Sequence, residues 1–460
     1  MAEVGGSTGS GTGFNRDLTK GNVFSSLLSL SWPVMISNSL NMLGPTIDMV
    51  WVGKLGPAAI AGVGVAGMAV VLVNSAVLGL SMGLRAIVAR FVGAGDISGA
   101  VHAVRQGFVV VAIFSTLIAI IGIFFTEFVL SLMGMEADVV VEGAPYMRIL
   151  FVAVAAMSFR MMTEATMQAS GDVVTPMKLA IIFRILHVAL APFLIFGWWI
   201  FPEMGVSGAA ITNVISQSFG LSLGLWFLFS GRTRLRLNMN NFRIDLNIIW
   251  RIVRIGIPAS VMTAQATLGQ LILMRLVAPF GTLAVAAHSL VQRVELFFFM
   301  PSMAFGMAAG VLAGQNLGAG QPERAEKSGW LAVALAESFM IICSIVILLW
   351  AESIVSVFNA DPELVKMTST FMRIAVAGYL VMGFVGALMQ CLSGAGDTVP
   401  PMIFGLVILW AVQVPLAYFL PRITDLGVYG IRWAMSTGLI VGAVAYVTYF
   451  RLGRWKRKRV

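Results

Sequence analysis

The chain has 460 residues, of which 58% are apolar and 11% are charged, and its mean hydropathy is +0.91. Because a soluble domain averages about 25% charged residues, this composition excludes a soluble protein and indicates a lipid bilayer as the solvent. Two cysteines and three histidines exclude a disulfide framework and the common histidine metal sites, and no metal or cofactor is expected.

Twelve apolar segments are long enough to cross about 30 Å of hydrocarbon, and in lipid they must be helices because their backbone groups have no water to bond. They follow residues 1–22, which begin with a Gly/Ser/Thr-rich stretch and are predicted to be a flexible leader. The predicted spans are 31–53, 59–88, 104–126, 143–168, 178–200, 207–229, 249–278, 283–313, 329–350, 366–391, 400–420 and 428–450. The sequence therefore predicts an all-α membrane protein.

Lysine and arginine are unevenly distributed between the spans, and this predicts the orientation of the chain. Residues 231–247, between spans six and seven, form a basic linker, and residues 451–460 form a basic tail. These segments hold most of the net charge of +9, which is therefore no evidence for nucleic-acid binding. We expect an inner-membrane protein with both termini in the cytoplasm.

Several motifs recur 225 residues apart, which indicates a duplicated six-helix unit. Gly93–Gly95 and Gly318–Gly320, for example, both read Gly-Ala-Gly. Because each unit has an even number of spans, residues 23–230 and 248–450 are predicted to form two lobes in the same orientation. Two such bundles leave a central cleft between them, and rocking opens it alternately to each side of the membrane.

The repeated motifs resemble those of one transporter family. Gly-Ala-Gly follows spans two and eight, while Ser170–Asp172 and Gly394–Asp397 end in Gly-Asp after spans four and ten. With Ile47–Gly53 in the first span, this set resembles the MATE family of multidrug and toxic-compound exporters. The resemblance implies antiport by alternating access, in which a small amphipathic organic compound leaves while protons or sodium ions enter. We expect the transporter to be a monomer in the bilayer.

Asp48 is the strongest candidate for the ion-coupling group. A central aspartate costs about 3 kcal/mol in a span whose apolar residues contribute only roughly −2 to −4 kcal/mol, so this helix must face protein or a water-filled cavity. A carboxylate at membrane depth suits proton coupling, and the resemblance implies the same role for a first-span aspartate. The alternative is a packing carboxylate that hydroxyl or amide groups satisfy.

Two further coupling candidates come from positions where the chain departs from the family pattern. The resemblance implies a second aspartate before the proline of span five, but Ala191 precedes Pro192 here. The nearby family asparagine position is matched by His187, and a sixth-span hydroxyl position is matched by Asn213. His187 is a candidate partner of Asp48, because histidine is a common proton-carrying side chain, whereas a core histidine bonded to backbone is the alternative.

The acids that the resemblance implies for sodium coupling, in spans seven and ten, are also missing. Their positions here are matched by Ala266 and Met382. We therefore predict coupling in the first lobe and favour the proton over sodium as the coupling ion.

Other polar or polarisable side chains at membrane depth are candidates for contacting the substrate. They are Asn41, Arg184, Gln265, Arg293, Glu295 and Met262. Mutual pairing or snorkelling to the interface is the alternative for the charged ones. Organic cations are the expected substrates, but buried arginines leave anionic and zwitterionic compounds open.

Two other functions were weighed against an exporter. A flippase for lipid-linked precursors, from a related transporter family, is the alternative that the intramembrane arginines favour and the twelve spans oppose. A membrane enzyme is disfavoured because no nucleophile, acid and base cluster at helical spacing. Residues 62–67 fit Gly-x-Gly-x-x-Gly, but they lie in an apolar span without the strand that a dinucleotide site requires.

Overall fold

The computed structural model describes residues 17–55, 57–132, 137–240, 242–359 and 361–458, and all regular secondary structure within them is helical. Twelve of the helices are long and apolar enough to cross a membrane, which confirms the predicted number. They are α1 (Val23–Val52), α2 (Pro57–Gly93), α3 (Ile97–Phe124), α4 (Ala137–Ser170), α5 (Val174–Phe196), α6 (Gly205–Ser230), α7 (Leu246–Val277), α8 (Thr282–Gly318), α9 (Pro322–Ser356), α10 (Pro362–Gly394), α11 (Val399–Ile423) and α12 (Tyr429–Leu452). A short helix, Thr126–Leu132, precedes α4, and α11 contains a π-helical segment, Ile408–Gln413.

Several helices extend beyond the apolar segments that predicted them. Helix α3 begins at Ile97 rather than at residue 104, because the Asp96 side chain accepts a hydrogen bond from the Gly99 amide and caps the helix. Hydropathy detects only the part of a helix that lies in hydrocarbon, so capped turns that continue into the interface are missed.

The helices form the two predicted six-helix lobes, α1–α6 and α7–α12. In the first lobe α4 packs against α2, α3 and α6, and in the second lobe α10 packs against the equivalent helices α8, α9 and α12. Helices α1 and α2 of the first lobe pack against α7 and α8 of the second lobe. The packing therefore repeats as the sequence does.

The first glycine of each Gly-Ala-Gly motif lets α2 and α8 touch where both helices end. A Cβ atom at Gly93 would lie 1.9 Å from the carbonyl oxygen of Gln315, and one at Gly318 would lie 2.1 Å from that of Arg90. Backbones approach this closely only where a side chain is absent. The third glycines, Gly95 and Gly320, have φ of +78° and +71°, which terminates each helix.

The described residues of the two lobes pack together on the side of the membrane where the chain termini lie, which we call the termini side. There, one buried cluster contains residues of both lobes, among them Leu27 and Leu30 of α1 and Ala308 and Leu312 of α8. On the opposite side, the far side, each buried cluster among the described residues belongs to a single lobe. The structure is therefore closed on the termini side and open on the far side.

The leader and the tail are both docked where the structure describes them. Leu18 is buried in the interlobe cluster, and Arg324 donates to the carbonyls of Lys20 and Gly21, at 2.9 Å each. In the tail, Trp455 is buried and stacks on Phe450 at 4.7 Å. Ion pairs also hold the tail, from Lys456 to Glu326 at 2.6 Å and from Lys458 to Asp397 at 3.0 Å. Residues 1–16, 459 and 460 lie outside the described residues.

The basic linker 231–247 is also docked. Arg105 of α3 donates from Nε to the carbonyl of Asn238 at 2.6 Å, and Leu235 and Leu237 are buried. Helix α7 begins at Leu246, two residues before the predicted start of the second lobe, because Asp245 caps it.

Removing the cap of α7 tests how the linker is held. We expect Asp245→Ala to lower the free energy of unfolding by about 1 kcal/mol, since Asp245 accepts hydrogen bonds from the amides of Asn247 and Ile248. Asp245→Asn keeps an accepting oxygen and serves as the matched control. Denaturation of purified protein in a nonionic detergent measures both variants.

The contribution of Asp245 to the free energy of unfolding should depend on pH. The hydrogen bond from the Ile248 amide holds the pKa of Asp245 below its usual value. A depressed folded-state pKa gives stability that is present above the ordinary pKa of about 3.9 and is lost as the pH falls through the folded value. The difference between wild type and Asp245→Ala should therefore shrink below about pH 4, and a difference that grows there would contradict the assignment.

Candidate functional site

Asp48 and His187 form a hydrogen-bonded pair inside the first lobe. The Asp48 Oδ1 atom lies 2.8 Å from His187 Nε2, and the two residues are only 7% and 1% exposed. Asp48 lies in the last two turns of α1, and His187 lies on the neighbouring helix α5. The structure thus places the two predicted coupling residues in direct contact, while their role stays a prediction.

Arg184 lies one turn before His187 on α5 and contacts α1 at Asn41–Pro45, a segment that we call the notch. Its Nη2 donates to the carbonyl of Asn41 at 3.3 Å. Pro45, four residues after Asn41, has no backbone N–H, so this carbonyl lacks its helical donor and the guanidinium replaces it. A Cβ atom at Gly44 would lie 2.1 Å from Arg184 Nη1, so the glycine makes room for the arginine.

Arg160 and Glu164 form an ion pair in the same lobe, nearer the termini side. Arg160 Nη1 donates to Glu164 one turn later on α4, and Arg160 Nε donates to Gln217 of α6. The Phe183 ring lies between two guanidinium groups, 4.5 Å from that of Arg160 and 5.2 Å from that of Arg184. Polar groups from four helices therefore form one network within the first lobe.

This network suits the uptake and release of a proton. A carboxylate and an imidazole in hydrogen-bond contact pass a proton between them without moving it through apolar space. Adding a proton changes the charge of a buried pair, which alters its attraction to Arg184 far more than it would in water. A proton can therefore change how α1 packs on α5.

The other first-lobe candidate and two second-lobe candidates are placed differently. Asn213 is partly buried on α6 and, among the described residues, makes no hydrogen bond to Asp48 or His187. Gln265 is buried against Gly405 of α11 within the second lobe. A Cβ atom at Gly405 would lie 2.1 Å from the Nε2 atom of Gln265. Met262 packs in a buried cluster with Met82 of the first lobe, so it joins the lobes in this conformation.

The second lobe contains a cavity of about 420 Å³ between α7, α8, α10, α11 and α12, and Arg293 and Glu295 both line it. Glu295 Oε1 accepts hydrogen bonds from Tyr379 Oη at 2.8 Å and from Arg432 Nη1 at 3.2 Å. Sequence reasoning missed Arg432 and Tyr379. Arginine inside a predicted span was the available signal for Arg432, whereas nothing distinguished Tyr379 before its neighbours were known.

Pro45 and Arg184 allow a test of the notch by a double-mutant cycle. We expect Arg184→Met to cost about 1–3 kcal/mol of unfolding free energy, because the Asn41 carbonyl loses its donor. In a Pro45→Ala background the new N–H restores that donor, so the cost should fall by about 1 kcal/mol. Pro33→Ala is the control, since Pro33 lies about three turns away on α1. Denaturation in detergent measures each variant. Equal costs of Arg184→Met in the wild-type, Pro45→Ala and Pro33→Ala backgrounds would contradict a hydrogen bond that replaces the missing donor of Asn41.

Comparison with known proteins agrees with this architecture. The MatE family model matches residues 33–193 and 258–419, two stretches that begin 225 residues apart. The probable multidrug resistance protein NorM of Thermotoga maritima is 25% identical over 438 residues, which cover 94% of this chain and 93% of that protein. The FAD transporter of Shewanella oneidensis is 26% identical over 424 residues, which cover 91% of this chain and 93% of that protein.

The fold is also shared with solved structures. One is described as the outward-facing conformation of a multidrug resistance MATE family transporter of the MOP superfamily. It matches with a TM-score of 0.88 at 22% identity, covering 96% of this chain and 98% of that one. The duplicated family match and the two six-helix lobes lead to one conclusion: the chain belongs to the MATE family of membrane transporters.

Proposed function

We propose that this transporter is a proton-driven antiporter that exports amphipathic organic compounds across the cytoplasmic membrane. The observation that carries the proposal is the buried Asp48–His187 pair, with Arg184 one turn away, in a lobe that borders the open side of the molecule. Protons provide the driving force, since the pair is the kind of titratable site that proton coupling needs.

The proposed cycle starts from the conformation described here. The basic linker and tail support a cytoplasmic location for the termini side, and the open far side then faces outward. A proton from outside binds the pair, weakens its attraction to Arg184 and changes the α1–α5 contact. The lobes then rock, the glycine contacts between α2 and α8 separate, and the cavity opens inward to release the proton and bind substrate.

The expected substrates are small and amphipathic. Relatives named as multidrug resistance proteins support organic compounds in general, and a relative named as an FAD transporter supports negatively charged ones as well. The match to MatE favours an exporter over the flippase alternative. We propose a monomer, because each chain carries both lobes.

Transport by purified protein in liposomes tests the proposal. With the membrane potential clamped, we expect rhodamine 123 to accumulate in vesicles with an acidic lumen. A protonophore should abolish the uptake, and a sodium gradient at equal pH should give none above protein-free liposomes. Uptake driven by sodium alone would contradict the assignment of the ion.

A further inference from the structure

We infer that the cavity in the second lobe binds the negatively charged group of an amphipathic organic anion, with Arg293 as the group that attracts it. This inference rests on the proposed function and deepens it, because it names a class of substrate and the site that takes it.

The buried end of the cavity is a paired arginine. Arg432 is 1% exposed, and its Nη1 and Nη2 donate to Glu295 and to the carbonyl of His288, at 3.2 Å each. Its Nε is buried and has no hydrogen-bond partner among the described residues. A buried donor without a partner is costly, so a ligand that accepts a hydrogen bond there is favoured.

Arg293 adds a positive charge that the protein does not neutralise. Its side chain is exposed, lines the cavity and makes no ion pair with any described residue. It lies eleven residues into α8, about 16 Å along the helix and therefore at membrane depth. The lining residues include two arginines against one glutamate, so a cavity of net positive charge remains.

The remaining walls suit the body of an amphipathic molecule. Apolar contacts come from Leu296, Phe299, Met382, Met435 and Leu439, and amide groups come from Gln270, Gln292 and Gln413. A volume of about 420 Å³ falls in the range of small-molecule sites, which are mostly apolar with a few placed polar groups. Met382, matched to an acid of the sodium-coupled pattern, makes this wall uncharged.

The cavity opens toward the gap between the lobes. Gln270 lies seven residues, two turns, after Thr263, whose hydroxyl donates to the Ser75 carbonyl of the first lobe at 3.1 Å. Arg293 lies fourteen residues before Met307, which contacts Asn38 of the first lobe, and so within about 40° of the same helix face. Both lining residues therefore face the first lobe at the level where the lobes have separated.

Two dyes with the same xanthene core and opposite charge test the inference. Fluorescence anisotropy at pH 7.5, with purified transporter and no ion gradient, should show fluorescein binding that Arg293→Gln weakens about tenfold or more, as expected for loss of a charged hydrogen bond. Binding of the cation rhodamine 123 should not weaken. Arg275→Gln, which removes another exposed arginine in the last turn of α7 and outside the cavity, should leave both affinities unchanged. Met382→Asp brings the charged groups of the cavity to two arginines against two acids, so it should weaken fluorescein binding without weakening rhodamine 123 binding.

The outcomes separate this inference from the proposed function. Fluorescein binding that survives Arg293→Gln, or that Arg275→Gln weakens equally, would overturn the anion site while leaving proton coupling untouched. Asp48→Asn should still bind fluorescein, so a loss of transport in that variant supports coupling independently of the cavity. Displacement of fluorescein from wild type in nanodiscs of phosphatidylglycerol, but not of phosphatidylcholine, would assign the cavity to a lipid phosphate and overturn the assignment to a dissolved substrate.

Discussion

Transport driven by a pH gradient is expected to fall to the level of protein-free liposomes when Asp48 is replaced by Asn. The amide has nearly the same size and still hydrogen-bonds to His187, which lies 2.8 Å away, so the packing of α1 on α5 should persist. The amide cannot take up or release a proton, however, and the buried imidazole loses the negative charge that would stabilise its protonated form. Initial rates of rhodamine 123 uptake measure the effect.

A matched control is available in the same lobe. Glu127 is an exposed acid paired with Arg148 at 2.6 Å, so Glu127→Gln removes a carboxylate far from the buried network and should transport normally. Both variants should unfold within a few degrees of wild type, which separates loss of coupling from loss of folding. Sustained uptake by Asp48→Asn under a pH gradient would exclude Asp48 as the coupling group.

The conformation that is open on the far side should become less populated when a methyl group is added where α2 and α8 touch. In Gly318→Ala the new Cβ would lie 2.1 Å from the Arg90 carbonyl oxygen, a backbone atom that a rotamer change cannot move. Overpacking of this kind costs typically 1–3 kcal/mol, which shifts the ratio of the two conformations by roughly 5- to 150-fold. In this conformation α2 and α8 touch on the closed termini side, so the cost falls on the conformation that is open on the far side.

Labelling of one introduced cysteine reports the shift. Gln270→Cys places a thiol at the exposed mouth of the second-lobe cavity, while the native Cys343 and Cys391 are buried. A membrane-impermeant maleimide should modify this thiol more slowly in the Gly318→Ala background. Gly442→Ala is the control, because its Cβ would meet only the ends of two flexible side chains, Ile408 at 3.1 Å and Val385 at 3.5 Å. Equal labelling rates of Gln270→Cys in the wild-type and Gly318→Ala backgrounds would contradict the proposed shift away from the conformation that is open on the far side.

Much of the fold was predictable because a bilayer imposes severe limits on a chain. Twelve apolar segments had to be helices, and the motifs repeated 225 residues apart predicted two equivalent lobes. Segments outside the hydrocarbon were predicted less well. Leader, linker and tail were interpreted from their polar or basic residues, but the structure docks them through buried side chains such as Leu18, Leu237 and Trp455.

The candidate site was predictable only in part. Asp48 was identifiable because an acid in a weakly apolar span needs a partner, and the partner proposed for it, His187, is in contact. Asn213 and Gln265 carry the same kind of signal, yet neither contacts that pair, since composition does not say which way a side chain points. Arg432 was overlooked although it lies inside a predicted span.

By itself, the sequence determined the membrane environment, the number of spans and the duplication, since apolar length and repetition are properties of the chain alone. Only the tertiary structure decided which polar groups share a helix interface: Arg184 meets the Asn41 carbonyl that Pro45 leaves without a donor, and Arg432 meets Glu295 across 137 residues of chain. Such pairs depend on how helices rotate and slide against one another, and helix packing sets both after the spans have formed.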